Sequence, residues 1–164
     1  MTFDNKRGDR FLNQLPKISL DGEDNDLTKR CKFNFSYFTV AYGSQNFSDW
    51  SEVQLQKLLA ALKDYGTNTL HHWTKQKMGK KGSVLSIYGD FPKDKSAFRH
   101  PSHVPHDVLW GRFRLQSAVR LCGFVVPREM HGKPHPKTHE NFDCNTFYVV
   151  FLDKDHQFYQ TEPK

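Results

Sequence analysis

The stretch from Trp110 to Tyr159 does most to restrict the fold. It begins WGRFRLQSAVRLCGFVV, passes through a polar loop and ends NTFYVVFLDKDHQFY. At period two, Phe113 and Leu115 fall on one face of a strand and Arg112 and Arg114 on the other. After a turn at Gln116-Ser117, Val119, Leu121, Gly123 and Val125 share one face; Arg120, Cys122, Phe124 and Val126 share the opposite one. Two alternating runs so closely spaced predict a β-hairpin. Phe147 to Leu152 is apolar throughout and rich in β-branched and aromatic residues, the pattern of a strand covered on both faces. A buried strand beside a hairpin with three arginines points to an acidic partner.

The location of charge sharpens that expectation. The 164-residue chain has a net charge of +6. Residues 1–66 hold nine Lys/Arg and nine Asp/Glu, so residues 67–164, with fifteen and nine, account for all of it. All nine histidines also lie in the second part, from His71 onward. A neutral part followed by a basic, His-rich part predicts a surface that meets phosphate. No run approaches the ~18 apolar residues of a membrane span, so no membrane partner is expected. The three cysteines, Cys31, Cys122 and Cys144, are odd in number and widely spaced. Without the apolar block of a signal peptide at the start, they predict free thiols and a cytoplasmic location.

Along the chain, residues 1–30 are polar and broken by Gly8, Pro16 and Gly22, which predicts an arm, flexible unless Leu12, Leu15 and Ile18 dock it. Residues 31–164 are expected to form a single domain. Lys32 to Val40 reads as a first strand. Ser51 and Gln54 make a capping box for a helix whose apolar face is Leu55, Leu58, Leu59, Leu62 and Tyr65, ended by Gly66. Thr67 is placed to cap a second helix, Asn68 to about Met78, and Gly79-Lys80-Lys81-Gly82 is a basic turn. Val84 to Tyr88 and His156 to Tyr159 read as short strands. Prolines make 91–107 and 127–143 loops. Helices and strands are segregated, so the class is α+β: an antiparallel β-sheet with an N-terminal helical hairpin packed on one face. The other face, with its arginines, is expected to be open.

The helical hairpin SDWSEVQLQKLLAALKDYG plus TLHHWTKQK, followed by RFRL, AVRLCGFVV and TFYVVFLD, resembles the RelE/ParE-like toxins of bacterial toxin–antitoxin systems over about residues 32–159. The likeness lies in the β-α-α-β-β-β order, the basic sheet face and the arginine-bearing strand ahead of an apolar one. It implies a metal-independent, cofactor-free endoribonuclease that cleaves mRNA at the ribosome, with an antitoxin protein as partner. In that reaction the 2′-hydroxyl attacks the adjacent phosphate, a base removes its proton, an acid protonates the leaving oxygen, and cations stabilise the phosphorane.

Histidine suits the proton transfers and arginine the phosphate oxygens. Candidate catalytic residues are therefore Arg120, His156, Tyr159, His100 and His103. Candidate nucleic-acid contacts are Arg99, Arg112, Arg114, Lys80 and Lys81. Two other readings compete: a non-enzymatic nucleic-acid-binding module using cations and stacked aromatics, and an inhibitor whose basic surface grips an acidic protein. A zinc site has little support. His131, His135 and His139 recur every four residues, but Pro134 and Pro136 break the helix that would align them. No Walker, G-x-S-x-G or papain-like pattern is present.

Overall fold

The computed structural model describes residues 6–14, 19–115 and 119–160. Ser51 starts the longest helix, α2 (Glu52–Tyr65), as its capping box predicts: the Ser51 hydroxyl accepts from the Gln54 amide at 3.3 Å, and the Gln54 side chain accepts from the Ser51 amide at 2.9 Å. The helix buries Leu58 and Tyr65 and half-buries Leu55 and Leu62, whereas Leu59 faces solvent at 65% exposure. Leu59 lies off the arc that spacing of three and four defines through Leu55, Leu58, Leu62 and Tyr65.

A five-stranded sheet carries the fold, in the order β1-β7-β6-β5-β4. The strands are β1 (Lys32–Asn34), β4 (Leu85–Gly89), β5 (Leu109–Arg114), β6 (Arg120–Val125) and β7 (Thr146–Asp153). The predicted β5–β6 pairing is present, and β7, an inner strand between β1 and β6, is buried along almost all its length. The turn expected at Gln116-Ser117 lies outside the described residues.

The architecture is α+β, with several corrections. The sheet is mixed: β1 runs parallel to β7, while the other pairs are antiparallel. More than a hundred residues separate β1 from β7, so no tight turn forces them antiparallel. The first strand ends at Asn34 rather than Val40, because the Asn34 side chain accepts from the Ser36 amide at 2.9 Å and turns the chain. The second helix expected for the helical hairpin, Asn68 to about Met78, is cut short. After α2 comes only α3 (Leu70–Lys75), capped by Thr69 and not Thr67. The residues beyond it form a small two-stranded sheet, β2 (Lys77–Met78) with β3 (Gly82–Ser83). Within the N-terminal arm, α1 (Lys6–Gln14) is a helix. The docking contacts expected of Leu12, Leu15 and Ile18 fall outside the described side chains.

Each face of the sheet has its own core. On one, α2 and α3 bring Leu58, Tyr65, Leu70 and Trp73 onto Leu85, Phe113, Leu121, Phe147 and Leu152. The other face is not open. The irregular segment 91–108 and the tail after β7 cover much of it, packing Phe91, Phe98, Val104 and Phe158 against Trp110, Phe124, Val150 and Phe151. No helix among the described residues is long and apolar enough to cross a membrane.

Candidate phosphate-binding site

Alternation along β5 and β6 sends Arg112, Arg114 and Arg120 to the loop-covered face, where Arg114 stands directly opposite Arg120 and Arg112 opposite Cys122. Across the next pair Arg120 faces Asp153 and Cys122 faces Phe151. Cys122 is fully buried between the arginines, and burial pushes its thiol well up, so it forms a neutral floor.

Asp153 builds the turn above that floor. Its carboxylate is completely buried and accepts from three backbone amides: Asp155 at 3.2 Å, Gln157 at 2.9 Å and Phe158 at 2.9 Å. Amides that a strand would give to a ladder are thereby used locally, and the strand expected from His156 to Tyr159 is a turn instead. His156 takes a left-handed conformation in it, φ 63°.

That turn sets the His156 ring between two arginines. Nδ1 lies 3.4 Å from Arg112 Nη1, and Nε2 lies 3.1 Å from Arg120 Nη2. Guanidinium groups only donate, and a neutral imidazole has one accepting nitrogen. One of the two contacts therefore sets donor against donor, an arrangement that an anion accepting from both would relieve. Burial first, then the charges of Arg120 and Arg112, hold His156 below the usual histidine value. Burial, Arg112 and Arg114 likewise push Arg120 down.

Arg112 and Arg120 are each only 6% exposed. Among the described residues, no carboxylate lies within ion-pairing distance of Arg112 or Arg114, and the buried Nε atoms of both lack a hydrogen-bond partner. Buried charge without a paired countercharge is costly, and it is here concentrated at one recess.

Tyrosines form one side of the recess. Tyr88 and Tyr159 stack with ring centroids 4.3 Å apart and planes 7° from parallel. The Arg112 guanidinium lies 5.6 Å from the Tyr88 ring and 5.8 Å from the Tyr159 ring. Lys95, from segment 91–108, reaches the Tyr159 hydroxyl at 3.3 Å. Burial pushes the Tyr88 phenol up to about 12, so it stays protonated.

Of the residues expected from sequence, Arg112, Arg120, His156 and Tyr159 come together. Arg114 adjoins them but turns its guanidinium toward the basic turn that carries Lys80 and Lys81, donating to the Met78 carbonyl at 3.1 Å. His100 and His103 lie apart, and Arg99 is exposed. His100 stacks on His106, with centroids 4.3 Å apart, and packs edge-on to Phe91 and Trp110. His103 lies against Tyr37, its Nε2 3.1 Å from the Tyr37 carbonyl. These prolyl-loop histidines thus serve the covering of the sheet.

Sequence reading missed Tyr88, Lys95 and Asp153. Tyr88 follows Ser86, the register partner of Arg112, by two residues, so period two along the strand was a usable signal for it. Lys95 carried none. Asp153 was legible only as a turn residue.

Among the described residues, no group of three or more His, Cys, Asp or Glu side chains is placed to hold a metal ion. His131 and His135 each hold backbone amides of their own loop through Nδ1, and all three cysteines are free. Comparison with protein-family models, with curated proteins and with solved structures finds no match.

Proposed function

We propose that this protein cleaves mRNA by metal-independent attack of a 2′-hydroxyl on the adjacent phosphate, as a RelE/ParE-like toxin acting at the ribosome and held in check by an antitoxin. The observation that carries the reading is His156, kept neutral between the guanidinium groups of Arg112 and Arg120. A scissile phosphate takes the donors of both arginines, which the imidazole alone cannot satisfy. Part of the order on which the resemblance rests, β1, α2 and α3 ahead of the antiparallel strands β4 to β7, is consistent with it.

Each residue then has a defined task. His156 accepts the 2′-hydroxyl proton, and its depressed basicity keeps the lone pair available at neutral pH. The 2′ oxygen bonds to phosphorus while the bond from phosphorus to the 5′ oxygen breaks. Arg112 and Arg120 stabilise the charge that accumulates on the non-bridging oxygens. Tyr159, with Lys95 beside its hydroxyl, supplies the proton to the departing 5′ oxygen. The products are a 2′,3′-cyclic phosphate and a 5′-hydroxyl, and proton return from His156 to Tyr159 through water resets the site.

The test is induced expression in bacteria of the wild type, Arg120→Ala and His156→Ala, following growth and mRNA integrity, with purified proteins assayed on single-stranded RNA. Wild type is expected to arrest growth and fragment mRNA. Loss of the base lowers cleavage by roughly 10²–10⁴-fold. Intact mRNA with retained RNA binding by the wild type would replace catalysis with a binding role.

A further inference from the structure

The basic turn between β2 and β3 is not an independent surface feature, because Arg114 fixes it to the sheet. Arg114 Nη1 donates to the Met78 carbonyl at 3.1 Å. The Arg114 guanidinium also occupies the place where a Cβ on Gly82 would stand, and it lies in van der Waals reach of a Cβ on Gly79. Gly79 itself has φ +72°, the region that glycine tolerates. The two glycines of Gly79-Lys80-Lys81-Gly82 thus let the turn lie against the guanidinium plane, with both lysines exposed. From the helix side, the Tyr65 hydroxyl donates to the Arg114 carbonyl at 2.5 Å, so both ends of this arginine are held.

Its position gives that arrangement a consequence. Arg114 faces Arg120 directly across the β5–β6 ladder, so the turn stands beside the recess where Arg112, Arg120 and His156 meet. We infer that the β2–β3 turn is a second phosphate subsite, contiguous with the recess, which takes the neighbouring phosphates of a single strand through Lys80 and Lys81. Arg114 is a positioning residue that holds the turn there. The inference rests on reading the recess as a phosphate site. It adds that the ligand is a chain of several phosphates, with the turn gripping it by charge. A mononucleotide fills the recess alone. Lysine suits this outer subsite, since it meets a phosphate as a mobile point charge, whereas the flat guanidinium of Arg114 suits packing against two glycines.

Salt dependence separates positioning from direct contact. Binding of a short single-stranded deoxyoligonucleotide, which lacks the 2′-hydroxyl and cannot be cleaved by this chemistry, is measured by fluorescence anisotropy over a range of salt concentrations. A deoxynucleoside monophosphate is titrated alongside. The variants are the Lys80→Ala/Lys81→Ala pair, Gly82→Ala and Arg114→Lys, with thermal unfolding as the control for folding.

Each phosphate contact on a single strand contributes about 0.7 to the slope of log K against log salt. The lysine pair should therefore lower the slope by about 1.4 and leave monophosphate binding unchanged. Gly82→Ala and Arg114→Lys should give the same loss, although Arg114→Lys keeps the charge. A wild-type slope in Arg114→Lys would make that residue a direct ligand and overturn the positioning role. An unchanged slope in the lysine pair would overturn the subsite. Because the probe is not a substrate, absence of RNA cleavage by the wild type sinks the nuclease reading and leaves this one standing.

Discussion

Helices cover one face of the sheet and an irregular, proline-bearing segment covers the other, and the two coverings treat charge differently. Behind α2 and α3 the buried side chains are apolar, from Leu58 and Trp73 to Phe113 and Leu152. On the loop side, aromatic packing around Trp110, Phe151 and Phe158 gives way toward one end to Arg112, Arg120 and Asp153. These are the buried charged side chains among the described residues, and all three lie on that face. A helix satisfies its own backbone and offers the sheet an apolar stripe, so nothing polar is needed beneath it. An irregular covering needs side chains to satisfy its amides, as Asp153 does, and so brings charge under cover. One face therefore serves stability, while the other holds electrostatic strain useful to a ligand site.

Truncation on the helix face tests this division most severely. Phe113 is 0% exposed and packs on Phe33, Tyr65 and Phe147 at centroid distances of 5.0–5.2 Å. Phe113→Ala is expected to cost about 3–5 kcal/mol, read from urea unfolding. Its neighbour Arg112, turned to the other face, should behave oppositely. Arg112→Met removes a buried charge lacking a carboxylate partner and relieves its repulsion with Arg120. Stability in the same unfolding measurement is expected to hold or rise by up to ~2 kcal/mol while anion binding is lost. A large drop in stability for Arg112→Met would break the comparison.

What could be read from sequence divides along the same line. The alternation in WGRFRL and RLCGFVV assigned β5, β6 and the side of Arg112, Arg114 and Arg120, because period two leaves no choice of face. Ser51 and Gln54 placed α2 through a local hydrogen-bond pattern. The loop face was illegible because nothing periodic marks it. That Phe91, Phe98 and Phe158 would meet over Trp110 depends on contacts distant in sequence. His100 and His156 were equivalent candidates as letters; only the Asp153 turn brings one of them between arginines. Likewise, β1 stopped early through one side-chain contact from Asn34, which outweighed the strand pattern of the residues after it.

Acid should act on the loop face. Burial, then His106, lowers His100; burial, then Arg120 and Arg112, lowers His156, with Asp153 opposing. In the unfolded chain both return toward the usual value of 6.5. Below that value the unfolded state binds more protons than the folded one. Stability is therefore complete above about 6.5, falls as pH drops from there toward the lower folded values, and levels off beneath them. Urea midpoints measured from neutral to mildly acidic pH should decline accordingly. His100→Phe, which fits among Phe91 and Trp110, and His156→Gln should each flatten part of that decline. Unaltered curves in both variants would move the acid sensitivity away from this face.

The smallest effect sharpens the contrast between the two kinds of covering. Ser51→Ala removes the hydroxyl that accepts from the Gln54 amide at the start of α2. About 1 kcal/mol of stability should be lost in urea unfolding, with no change in slope and none in anion binding. Water can reach that exposed amide and replace the bond, which is why the cost is modest. Asp153 plays the corresponding part on the opposite side, but its carboxylate holds three amides with no exposure at all. If Ser51→Ala altered anion binding as well as stability, the helix face would be coupled to the recess through Tyr65 and its bond to the Arg114 carbonyl. An unaltered affinity would leave the two faces energetically separate, one maintaining the sheet and the other presenting its charge.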